Sequence, residues 1–121
     1  MSYNEKRARR VPMGATAIKP GQLVKFSSNV VVPVADNDKQ ILMFVALEYG
    51  IVATGSTILV VPFQDAIVEM AYSGSPAVGT AYGVSGPATV DAADTTNLAV
   101  FVVAVNTART TVDVMAYELL D

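Results

Sequence analysis

Nowhere in this chain does an apolar run exceed eight residues; the longest are ILMFVAL (41–47) and LAVFVVAV (98–105), and Gly, Pro, Asn, Asp and Ser cut the rest shorter. A bilayer-crossing helix needs about 20 such residues in a row. Short runs of Val, Ile, Phe and Tyr between turn-forming residues are the pattern of β-strands. Strands are predicted at 22–26, 30–34, 41–48, 57–62, 65–72, 80–84, 87–91, 98–105 and 111–119. Many short strands in about 100 residues suit an all-β domain, a small antiparallel barrel or sandwich. Local pattern leaves the choice between barrel and sandwich open.

Alternation supports individual strands. In DAIVEMAY, Ala66, Val68, Met70 and Tyr72 share one face, and Asp65 and Glu69 fall with Ile67 and Ala71 on the other. In TTVDVMAYEL, Val112, Val114 and Ala116 oppose Thr111, Asp113, Met115 and Tyr117. Each strand thus has a single charged face, as half-buried strands do. ILMFVAL and LAVFVVAV are apolar on both faces, which predicts a central place in the sheet or an outer face covered by another subunit. Residues 41–49 contain good helix formers, but Gly50 stops the run after nine residues, so a strand is preferred there. DAADTTNL (91–98) reads as a loop, and SGSPAVGTAYGVSGPA (73–88) as a hairpin region with tight turns at Gly74, Gly79 and Gly86.

The residue inventory narrows the chemistry. There is no cysteine and no histidine among the 121 residues, which removes thiolate nucleophiles, disulfides, and the commonest general base and metal ligand. Asp36 and Asp38 have a calcium-loop spacing without the Gly and distal Glu that such a loop needs. A solvated turn is the better reading. GTAYGVSG (79–86) lacks both the spacing and the following helix of a dinucleotide loop. The carboxylate pairs Asp65/Glu69 and Asp91/Asp94 fall on outer faces or in loops, and with no Trp the chain offers no sign of a sugar-cleaving cleft. No catalytic, metal or cofactor site is expected, and the protein is not expected to be an enzyme.

Charge is distributed unevenly. Lys6, Arg7, Arg9 and Arg10 are four of the eight basic residues, while the formal net charge is -3. Pro12, Gly14 and Pro20 interrupt any regular element, so residues 1–20 read as an extended N-terminal arm and 21–121 as the β domain. Nucleic acid is not the expected partner, because beyond residue 10 acidic residues outnumber basic ones and the body would repel a polyanion. A solubilising tail and an arm ordered on an acidic protein surface are the alternatives. Exposed ion pairs contribute about 0.2 to 1 kcal/mol each, whereas ordering one backbone residue costs about 1 to 2 kcal/mol. Charge alone therefore cannot order the arm. Tyr3, Val11, Met13 and Ile18 are its available apolar anchors.

The order GQLVKF, ILMFVALEYG, GSTILVVPFQDAIVEMAYSG, SPAVGTAYGVS and LAVFVVAVNTARTTVDVMAYEL resembles the small β-barrel decoration, or cement, proteins of tailed bacteriophage capsids, over roughly residues 20–120. The resemblance implies a structural virion protein, made in the host cytoplasm, that binds the capsid exterior and bridges neighbouring major capsid proteins, often as a homotrimer. On that reading Tyr3, Lys6, Arg7, Arg9, Arg10, Val11 and Met13 form a capsid-binding arm. No membrane partner is expected, since the N-terminal charges are not followed by an apolar stretch. Two competitors carry different expectations: a carbohydrate-binding β-domain on a virion surface, with Tyr49, Tyr72 and Tyr82 stacking on sugars, and a small head-tail connector protein.

Overall fold

In a computed structural model the described residues are 2–3, 5–36, 38, 43–51 and 56–117. They form eleven strands: β1 (Ser2–Tyr3), β2 (Arg9–Pro12), β3 (Leu23–Ser27), β4 (Val30–Pro33), β5 (Met43–Ala46), β6 (Thr57–Pro62), β7 (Ala66–Ser73), β8 (Ala81–Val84), β9 (Thr89–Asp91), β10 (Val100–Asn106) and β11 (Thr111–Ala116). Single 3-10 turns occupy Glu5–Arg7 and Phe63–Asp65. The fold is all-β, as the punctuated sequence predicts. Residues 41–42 and 118–119 of the predicted strands lie outside the described residues.

The strands make two sheets. β7, β11, β10, β8 and β9 pair in that order, and β9 returns to β7 in parallel, which closes a five-stranded barrel. Closure gives each of the five barrel strands a partner on both sides. β1 adds to the start of β7, with Ser2 opposite Ile67 and Tyr3 opposite Ala66. The second sheet runs β2-β6-β5-β3-β4, antiparallel throughout. Its two outer strands meet where Met13 bridges Val31 and the Gly14 N–H donates to the Val31 carbonyl at 3.0 Å.

Burial explains the apolar composition. The inward residues of the barrel, among them Val68, Met70, Val102, Val112 and Val114, pack with Leu23, Val45 and Val61 from one face of the second sheet, and with Phe63 from the turn after β6, in a single large core. From the other face of that sheet, Val24, Ala46, Ile58 and Val60 form a smaller core with Val31, Met13 and Ile18. Strands β3, β5 and β6 therefore send alternate side chains into two different cores. This accounts for the doubly apolar run at 41–47: over its described part, β5 is central and is covered on both sides by its own chain. The run at 98–105 differs. β10 is central too, but its outward side keeps Phe101 half-buried and Val103 exposed, at a bulge between Val102 and Ala104.

Alternation holds as expected in β7 and β11. Ala66, Val68 and Met70 are buried where Ile67, Glu69 and Ala71 are exposed, and Val112, Val114 and Ala116 are buried between half-buried neighbours. Gly74, Gly79 and Gly86 all take positive φ (82°, 82° and 151°), consistent with turn glycines. Gly83 is different, because it lies inside β8 with ordinary φ. A Cβ there would collide with the Asp94 carboxylate and approach the Asn97 carbonyl oxygen to 2.9 Å, so it is the close approach of the 91–98 loop that excludes a side chain.

Candidate interaction surfaces

The structure lays the basic N-terminal segment on its own body. β2 pairs with β6 from Arg9 opposite Val60 to Pro12 opposite Thr57. Met13 N–H then donates to the Ser56 carbonyl at 3.1 Å, and Ile18 and Gly50 exchange two backbone hydrogen bonds of 3.3 and 2.8 Å. Met13 is 7% exposed and Ile18 1%, both inside the smaller core, with Val11 packed partly against it. Of the four expected apolar anchors, Val11, Met13 and Ile18 pack and Tyr3 does not, and the surface they grip is this chain's own. Of the expected capsid-binding residues, Met13 is spent in the core and Val11 is half-buried. Tyr3, Lys6, Arg7, Arg9 and Arg10 remain on the outside.

Each arginine has a distinct environment. Arg10 donates from one guanidinium nitrogen to Glu48 Oε1 at 2.8 Å and from the other to Oε2 at 3.5 Å. That contact, with the Leu59 N–H donating to the same carboxylate at 3.1 Å, holds Glu48 below the usual carboxylate range. Arg7 Nε stands 3.7 Å from Asp65 Oδ2, a buried oxygen with no hydrogen-bond donor among the described residues. Arg9 donates to the backbone carbonyls of Lys6 (3.2 Å) and Ala8 (2.8 Å), and no carboxylate pairs with it among the described residues. Pro12 and the charges of β2 suit an edge strand.

Asp38, Asp91 and Asp94 serve turns. Asp38 accepts from Lys25 Nζ at 2.6 Å and from the Ala35 N–H at 2.8 Å. Burial raises its pKa, and the Lys25 and Ala35 bonds outweigh burial, so the net shift is downward. Asp94 Oδ1 accepts from the Asn97 N–H (2.9 Å) and the Thr96 N–H (3.0 Å), which lowers its pKa. Asp91 accepts from the Ala93 N–H at 3.0 Å. Among the described residues no three acidic side chains converge as a metal site would need.

A half-open recess of about 430 Å³ lies on the outer side of the barrel by the β10–β11 hairpin, with Glu69, Val105, Asn106, Thr111 and Asp113 in its lining. Asp113 and Glu69 sit directly opposite each other on β11 and β7. Like charges so placed repel. Arg109 offsets one of them, reaching Glu69 Oε1 at 3.2 Å. Sequence alternation put both acids on outward faces, but their opposition depends on strand register, which it does not contain.

The tyrosines of the carbohydrate reading differ in exposure. Tyr82 is 6% exposed, its hydroxyl accepting from the Ala77 N–H at 2.9 Å, while Tyr72 is half-buried against the large core and Tyr49 is 70% exposed. Comparison of the chain with protein-family models, with curated proteins and with solved structures found no match.

Proposed function

We propose that this protein is a structural, non-catalytic component that binds the outside of a bacteriophage capsid and cements neighbouring capsid subunits. The observation that carries the reading is the fixed basic edge: a segment with four cations is held by paired strands and a buried Met–Ile pair. A surface fixed in this way needs no ordering when it binds, so the entropy of an unfolded arm is not lost at each contact. Many copies on a shell then reinforce one another by effective concentration.

On this reading Tyr3, Lys6 and Arg9 are the shell-facing groups, whereas Met13 acts indirectly by holding their strand in place. Deleting residues 2–12 is accordingly an unclean test, since it strips β2 from β6. The direct test is to mix the purified protein with undecorated, expanded shells and measure co-sedimentation. Saturable binding at a fixed ratio to the major capsid protein is expected, weakened in a folded Tyr3→Ala, Lys6→Gln variant. Sedimentation no greater than without shells would refute the proposal.

A further inference from the structure

Tyr49 and Ile51 are the most exposed large apolar residues among those described, at 70% and 76%. Gly50 between them is buried. A Cβ on Gly50 would lie 3.0 Å from Ile58 and from the Met13 sulfur, so its backbone rests directly on the smaller core. The two hydrogen bonds it exchanges with Ile18 fix it there. Successive residues of an extended chain point to opposite sides, so with Gly50 facing the core both neighbours face away from it, about 7 Å apart along the chain. A tip held in this way loses little freedom on binding. Its surroundings are poor in charge. Residues 12–18 and 49–56 include no charged side chain, and of the flanking Lys19 and Glu48, Glu48 is already paired with Arg10 at 2.8 Å. A charge-poor patch with an aromatic anchor and a polar rim has the composition of the centre of a protein interface.

We infer that Tyr49 and Ile51 are a second contact of this protein, entering an uncharged, apolar pocket on a capsid subunit that neighbours the one gripped by the basic end; this rests on the capsid-binding function proposed above. Cementing needs two contact surfaces that face different subunits. Arg9 begins β2, and Met13, on which Gly50 packs, follows its end, so about 13 Å of strand separates the basic residues from the tip. Area argues against a second copy as the occupant. One tyrosine and one isoleucine bury roughly 300 Å² a side, against about 800 Å² per partner in a stable specific interface. Such a contact holds only beside others, as on a shell, where the basic contact raises its effective concentration. A bilayer is a poorer match, because Lys6, Arg7 and Arg9, which would grip an anionic surface, lie toward the far end of β2.

The test uses the full chain and undecorated, expanded shells. Tyr49→Ser with Ile51→Ser in one chain should leave circular dichroism and Tm close to wild type, since both side chains are exposed, and should weaken shell binding roughly tenfold or more. The two contacts should differ in their response to salt. Binding that remains in the tip variant comes from the basic end and should be lost between about 0.1 and 0.5 M salt, whereas binding that remains in Tyr3→Ala, Lys6→Gln should change less than about threefold. A folded tip variant that binds shells as well as wild type would overturn the inference and leave the capsid-binding function standing. Wild-type protein that does not bind shells would remove both. Without shells, wild type and tip variant should have the same mass in sedimentation equilibrium up to about 100 μM. An association that the tip variant loses would make a second copy the occupant, and tip-dependent flotation with phosphatidylcholine vesicles would make it a lipid surface; either result would overturn the capsid pocket.

Discussion

Replacing Ile18 by Ala tests whether the N-terminal segment is part of the folded body. The side chain is 1% exposed and packs with Met13, Val24, Val31, Ala46, Ile58 and Val60. Truncation to Ala removes three carbons, worth about 2.4 kcal/mol at about 0.8 kcal/mol per buried methylene. A small core held between paired strands collapses poorly into a new void, so a cavity term brings the total to roughly 3–4 kcal/mol. At roughly 3–6 °C per kcal/mol for a domain of this size, Tm should fall by about 10 °C or more. Urea unfolding followed by tyrosine fluorescence and far-UV circular dichroism measures the change directly. Tyr49→Ala, at a 70% exposed position, is the control and should shift stability by no more than about 0.5 kcal/mol. An Ile18→Ala variant as stable as the control would refute the reasoning, because residues of a loose arm contribute nothing to the transition.

Two further outcomes follow from the geometry. Gly83→Ala should destabilise by about 1–3 kcal/mol, because the new methyl group meets Asp94 and the 91–98 loop must move; a Tm unchanged from wild type would contradict that packing. Asp38 and Asp94 have folded-state pKa values below the usual carboxylate range, so their stabilisation is present above about pH 4 and is lost as pH falls through the lowered values. Stability measured from pH 6 to pH 2 should therefore decline, and Asp94→Asn should decline less steeply than wild type. A parallel pair of curves would sink the assigned role of Asp94.

The nine strands foreseen from residue 20 onward were legible because each carries its own evidence: alternation in 65–72 and 111–119, β-branched runs in 57–62, and turn residues at every junction. β1 and β2 were not legible. Arg9, Arg10 and Pro12 have no strand character of their own, and β2 is a strand because β6 offers it a distant partner in sequence, Pro12 lying opposite Thr57 at its near end and Arg9 opposite Val60 at its far end. The doubly apolar 41–47 run announced burial on two sides, yet a second core formed by Met13, Ile18 and Val31 is a long-range arrangement that no local pattern records. The same holds for the acidic recess. Glu69 and Asp113 are each visible as outward charges, and only the register of β7 with β11 makes them neighbours.

Native-state hydrogen exchange of the amides of Val11, Met13, Gly14 and Ile18 tests most directly whether the basic end is a fixed strand. Met13, Gly14 and Ile18 donate to Ser56, Val31 and Gly50, and Val11 lies within the β2–β6 ladder. Their protection should match that of Val24 and Val60 in the same sheet, with opening near the global unfolding free energy. Exchange at the rate of an unstructured peptide from residue 9 to residue 18, with Val24 and Val60 still protected, would contradict the account.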